Sequence, residues 1–156
     1  MKVLFLDIDG VVNKQENFNP SKGGRTPYPL DAYCAFLVGR IQLQTGCEVV
    51  LSSSWRQLPE AIKIVSESVV KLLDKTTTNY KWDGKPITTR GVTYEHHEIR
   101  GDEVNEWLSR HPGVTKYAIL DDESDFYEDQ PLFKTTFKEG LTDEIAEKVI
   151  EHLGRI

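Results

Sequence analysis

The sequence is short of several things. It has two cysteines, Cys34 and Cys47, too few for a disulfide framework, and each sits in an apolar stretch where a free thiol is buried. That usage fits a reducing, cytoplasmic setting. No run approaches 18 apolar residues, and the apolar start after Lys2 is cut at Asp7, so neither a membrane span nor a signal peptide is expected. The four histidines (His96, His97, His111, His152) have no cysteine partners at zinc spacing. There is no surplus of positive charge. A net charge of −6 argues against a protein that coats duplexes, though a local basic patch could still hold one phosphorylated end. No repeat, low-complexity linker or domain boundary is visible, so residues 1–156 read as a single domain, long enough to bury a core without staples.

What the sequence does have is apolar runs that stop at polar residues. KVLFLD (2–7), CEVVLS (47–52) and KYAILD (116–121) are continuous apolar and too short for helices, which marks them as buried strands; LFKTTF (132–137) is a fourth candidate. Between them fall helical stripes. One starts at Leu30, carries Tyr33, Cys34, Leu37, Val38 and Ile41, and stops at Gly46. A second covers 60–73 behind Pro59, with Ile62, Val65, Val69, Leu72 and Leu73 in line. A third covers 100–110 with Val104, Trp107 and Leu108 inward, and a fourth covers 142–153 behind a Thr142 cap. Residues 13–29 read as a loop. Residues 75–98 are irregular, with a WDG turn signal at 82–84, room for a hairpin, and Lys75, Lys81, Lys85 and Arg90 for a lid or basic rim. Strands alternating with helices predict a doubly wound, Rossmann-like parallel sheet with helices on both faces.

In such a sheet, ligands bind beyond the carboxyl ends of the strands. The three firmest strands end in Asp7 and Asp9, in Ser52, Ser53 and Ser54, and in Asp121 and Asp122, with Asp125 close behind. Clustered carboxylates repel and call for a cation, and an oxygen-only set suits Mg²⁺. Mg²⁺ on a few carboxylates usually works beside a phosphate, and a carboxylate can itself be the nucleophile. The reaction class these groups suggest is phosphoryl transfer.

The order of these groups, DIDG after strand one, Ser after strand two, a basic residue on a helix and then Asp-Asp, resembles the haloacid dehalogenase (HAD) superfamily of phosphatases. DIDGVVN, SSSWR, EIRGDEVNEWL, YAILDD and the late GLT are similar to the HAD domain of Swiss Army Knife RNA repair proteins. The resemblance implies a Mg²⁺-dependent phosphomonoester hydrolase with an aspartyl-phosphate intermediate. Asp7 would be nucleophile and metal ligand. Asp9 would be general acid/base, with its backbone carbonyl on the metal. Ser52 would hold the phosphoryl group. Asp122 would be the carboxylate nearest the metal, with Asp121 beside it or acting through water. The third motif usually carries lysine. Arg100, 21 residues before Asp121, takes that place here, with Lys116 as competitor. Ser53, Arg56 and Asn13 are candidate substrate contacts.

Each residue also has a plainer reading. Asp9-Gly10 makes a good turn, the serines can cap a helix, and Asp121–Glu123 can be a solvated acidic turn. Arg100 can be a surface pair with Glu98 or Glu103, and Arg56 can brace the acids rather than touch phosphate. His96 and His97 suit a loop, and the tryptophans suit a core, with Trp82 left open. A receiver domain would put its acidic pair after strand one and its lysine last, whereas here the acidic pair comes last. A toprim-type nuclease would place its DxD late. A silent phosphate-binding module gives no reason for both Asp7 and Asp9. Residues 11–45 leave no room for a large cap domain, so an open site could admit a polynucleotide end; a small nucleotide is the alternative substrate. No obligate protein partner is evident.

Overall fold

A computed structural model of the chain describes residues 1–22, 26–76, 87–89, 92–94 and 99–156. The central strand is β1 (Lys2–Leu6), followed by α1 (Ala32–Thr45), β2 (Glu48–Leu51), α2 (Pro59–Ser68) and β3 (Asp74–Lys75). The short strands β4 (Ile87–Thr89) and β5 (Val92–Tyr94) come next. The chain ends through α3 (Arg100–Ser109), β6 (Lys116–Asp121), β7 (Leu132–Lys134) and α4 (Asp143–Leu153). The main sheet runs β3-β2-β1-β6-β7, and every pairing in it is parallel. The chain winds outward from β1 to β2 and β3 on one side, then returns to β6 and β7 on the other. This is a doubly wound, Rossmann-like α/β fold, with the switch point beside β1.

The apolar runs explain the layers. Successive strand residues face opposite ways, so a strand buried on both sides must be apolar throughout. Leu4 and Leu6 join the core under α1, α2 and α4, with Leu37, Val38, Ile41, Val65, Val149 and Ile150. Val3 and Phe5 face the other layer, with Val104 and Trp107 of α3. The Trp107 ring meets Phe5 edge-on at 5.4 Å, and its indole N–H donates to Asp74 at 2.8 Å. Helix ends follow local chemistry. Asp31 accepts from the amides of Tyr33 and Cys34, Thr142 accepts from Ile145, and Gly46 closes α1 at φ +67°.

Two boundaries differ from the expectation by several residues, and one strand is unexpected. The second helix stops at Ser68 rather than reaching 73, because the Leu73 amide is drawn to the Val49 carbonyl at 2.8 Å on the open edge of β2. That edge contact starts β3, which carries no apolar signature. The fourth strand covers only 132–134, since Thr135 and the following residues turn onto the loop after β1. The hairpin expected within 75–98 is the β4–β5 ladder, which pairs Ile87 with Tyr94 and Thr89 with Val92. The WDG turn, Lys81, Lys85, Arg90, His96, His97 and Trp82 lie outside the described residues.

Candidate active site

β2, β1 and β6 are neighbours, so their carboxyl ends form one edge. Asp7 leaves β1 with its amide donating to the Leu120 carbonyl at 3.0 Å, and its side chain is buried. Asp121 ends β6 fully buried, and Asp122 follows it half-buried. One carboxylate oxygen from each of Asp7, Asp121 and Asp122 lies within 4.8 Å of the other two. An oxygen-only donor set of that size fits a hard divalent cation such as Mg²⁺. Like charges this close, taken out of water, resist ionising. Burial, and then the neighbouring Asp121, push the Asp7 carboxyl well above the usual range, against the pull of Arg100. Burial likewise raises Asp121 to about 6.

Arg100 answers these acids. It opens α3, and its Nη1 donates to the Ser52 carbonyl at 2.7 Å, to Asp121 Oδ2 at 2.9 Å and to Asp7 Oδ1 at 3.3 Å. Burial works against the guanidinium's charge, but Asp7 and Asp121 outweigh it and push its pKa up. Lys116, the competitor, starts β6 and is exposed opposite Lys2 at the other end of the sheet. The Ser52 hydroxyl is buried at the end of β2 and has no hydrogen-bond partner among the described residues. A buried polar atom without a partner calls for one, and a phosphate oxygen would serve.

Asp9 stands apart from the three-carboxylate group. Asn13 Nδ2 donates to its Oδ1 at 2.9 Å, and the Trp55 indole N–H donates to its Oδ2 at 3.2 Å. Asn13 also accepts from the Gly10 amide at 2.9 Å and donates to the Pro29 carbonyl, so it shapes the loop as well as holding Asp9. Gly10 is required: its φ is +80°, and a Cβ there would come within 2.6 Å of Asp122 Cγ. The Thr135 hydroxyl donates to the Gly10 carbonyl at 2.5 Å, pinning the turn from the β7 side.

Ser53 and Arg56 are engaged with the protein. The Ser53 hydroxyl accepts from the Trp55 amide and caps the short 3₁₀ turn Ser54–Gln57. Arg56 donates to the Ser53 carbonyl at 3.0 Å and to Glu103 of α3 at 2.8 Å, and both side chains of that ion pair are buried. The pair therefore ties the serine loop to the helix that carries Arg100. Removing one partner strands the other charge, so Glu103→Ala is expected to cost about 3 kcal/mol of stability. A denaturant midpoint in Glu103→Ala equal to that of the parent would show that the pair does not hold the two elements together.

The residues sequence reasoning missed are Trp55, Thr135 and a brace around α3. In that brace Tyr127 donates to Asp102 at 2.6 Å, and Gln130 donates to the Gly101 carbonyl at 2.9 Å. The adjacency of Trp55 to the serines was the one available signal.

A family model described as the HAD domain in Swiss Army Knife RNA repair proteins matches residues 3–146. The chain belongs to this family. No curated protein and no solved structure matches the chain. The matched span takes in every group of this HAD domain's polar edge, from Asp7 through Ser52 and Arg100 to Asp122. It supports a phosphatase-type function. No helix among the described residues is long and apolar enough to cross a membrane.

Proposed function

We propose that this HAD domain is a Mg²⁺-dependent phosphomonoesterase that removes phosphate from nucleic-acid ends through an aspartyl-phosphate on Asp7. One observation carries the reading: the Asp7, Asp121 and Asp122 carboxylates meet within 4.8 Å at the switch point of a parallel sheet. These three would hold Mg²⁺, which when bound neutralises charge on the phosphoryl oxygens and relieves the repulsion among the acids.

Asp7 Oδ attacks phosphorus, a P–O bond forms, and the ester P–O bond breaks with its electron pair on the leaving oxygen. Arg100 and the Ser52 hydroxyl stabilise the charge spread over the phosphoryl oxygens. Asp9 gives the leaving oxygen a proton, then takes one from the water that attacks the aspartyl-phosphate, releasing inorganic phosphate and restoring Asp7. Both Asp9 oxygens accept N–H donors, so this role requires Asp9 to exchange one donor for the leaving oxygen.

The test compares a 3′-phosphorylated oligonucleotide, a 5′-phosphorylated one and free nucleotides, with Mg²⁺ and after chelation. Release of phosphate from an oligonucleotide end, lost on chelation, is the expected result. Turnover of free nucleotides alone would replace the substrate, and no turnover of any phosphate would end the reading.

A further inference from the structure

Two partly exposed phenylalanine rings stand on segments bonded to the loop after β1. Phe18 and Phe137 are 41% and 43% exposed. Their centroids are 5.4 Å apart with the planes tilted by 45°. Both belong to segments fastened to the loop that carries Asp9. Phe18 ends the 3₁₀ turn Gln15–Phe18, directly after Asn13 and Lys14. Phe137 sits on a tight turn that starts at Thr135, the residue bonded to the Gly10 carbonyl, and ends at Leu141, whose amide donates to the Val11 carbonyl. The Gln15 amide donates to the Phe137 carbonyl at 2.8 Å and locks the two segments together. Gly140 closes the turn at φ +63°, packed against the carbonyls of Val11 and Asn13. From Thr135 to Phe137 is two residues, a span of about 7 Å at most.

A pair of exposed aromatic rings, locked together on segments bonded to the loop that carries Asp9, suits the flat base of the nucleotide that bears the phosphate. We propose that Phe18 and Phe137 form a stacking platform for the terminal base of a single-stranded phosphorylated nucleic acid. The proposal rests on the reading of the site given above. Charge contributes little here. Lys14 is committed to Glu16 and Asp31, and the exposed Lys138 is offset by Glu139. Stacking accepts every base, because every base has a π-face. The platform therefore favours a base over no base and discriminates weakly among the four.

The experiment measures binding to Asp7→Asn, which holds substrate without turning it over, with Mg²⁺ present. The probes are a short single-stranded RNA phosphorylated at its 3′ or 5′ end, and the same RNA with an abasic terminal nucleotide. The readout is the ratio of the two affinities at the end that binds more tightly. A base-bearing end should bind about tenfold more tightly than an abasic one. Adding Phe18→Ala and Phe137→Ala should bring that ratio close to one. Leucine at both positions, which keeps apolar bulk without a flat ring, should lower it as well and guards against a folding defect. Equal binding of the two RNAs, no binding of either, or a ratio untouched by the substitutions would overturn the platform. Mg²⁺-dependent release of phosphate from the base-bearing RNA by the wild-type protein is scored separately. Its absence would count against the phosphatase reading, while the binding ratio would still decide the platform.

Discussion

Asp7→Asn should abolish phosphatase turnover and, in the absence of metal, make the protein more stable. The amide cannot attack phosphorus, so the fall should reach at least about 10⁴-fold, the scale seen when a nucleophile is removed. The stability change has a separate origin. Asp7 and Asp121 are both raised in the folded chain, Asp121 to about 6, mainly because burial penalises their charge. At pH 3 both carboxyls are protonated whether the chain is folded or unfolded, and the site costs nothing. As pH rises past the unfolded value near 4, the unfolded chain loses these protons first, and the folded state is penalised relative to it. The penalty is complete once pH passes the folded values. For Asp121 alone it amounts to about 3 kcal/mol at most, from 1.36 kcal/mol per unit. Metal-free wild type should therefore lose stability as pH rises from about 4 through the folded Asp121 value of about 6, and Asp7→Asn should flatten that slope and raise the neutral-pH melting point. Mg²⁺ should stabilise the wild type in proportion to its saturation and Asp7→Asn less. Thermal melts from pH 4 to 8, with and without Mg²⁺, check all of this. An Asp7→Asn protein that melts lower than the wild type at pH 7 without metal would show that the carboxylate cluster is not under electrostatic strain.

The sheet and its polar edge could be read from the sequence because both are written locally. β1, β2 and β6 must be apolar on both faces, and the first polar residue after each run marks the carboxyl end. Asp7, Ser52, Asp121 and Asp122 follow from that rule without any long-range information. Arg100 does not. Its place on α3 beside Asp7 depends on how that helix is docked, and only the family resemblance pointed to it. The contacts that fix Asp9 are equally hidden. Trp55 reaches it across 46 residues, and Thr135 reaches Gly10 across 125. A tryptophan and a threonine have no periodicity that announces such partners. β3 was missed for the opposite reason. Two polar residues, Asp74 and Lys75, form it by backbone pairing alone, and backbone pairing leaves no mark in side-chain pattern.

Arg100→Ala is the second large effect, and it separates the two basic residues the sequence offered. A single Nη1 bridges Asp7, Asp121 and the Ser52 carbonyl, so this side chain joins the ends of all three functional strands. Without it the two acids lose the one cation set against them among the described residues, and in the proposed mechanism the phosphoryl oxygens lose a donor in the transition state. The expected loss in kcat is about 10²–10³-fold, the scale for removing one preorganised donor. Because the guanidinium also offsets the carboxylates, Arg100→Ala should move the acid limb of the pH–rate profile to higher pH, as Asp7 and Asp121 become harder to ionise. Arg100→Lys should recover part of kcat, since an ammonium supplies the charge on a shorter stem but lacks the fixed geometry of the guanidinium. Lys116 lies about 16 Å away at the other end of β6, five residues of strand before Asp121. Lys116→Ala should therefore leave kcat within about twofold, because at that distance solvent screens most of its field. Equal losses in the two alanine variants would remove Arg100 from the role proposed for it beside Asp7, and a loss in KM alone would make it a binding residue rather than one that stabilises the transition state.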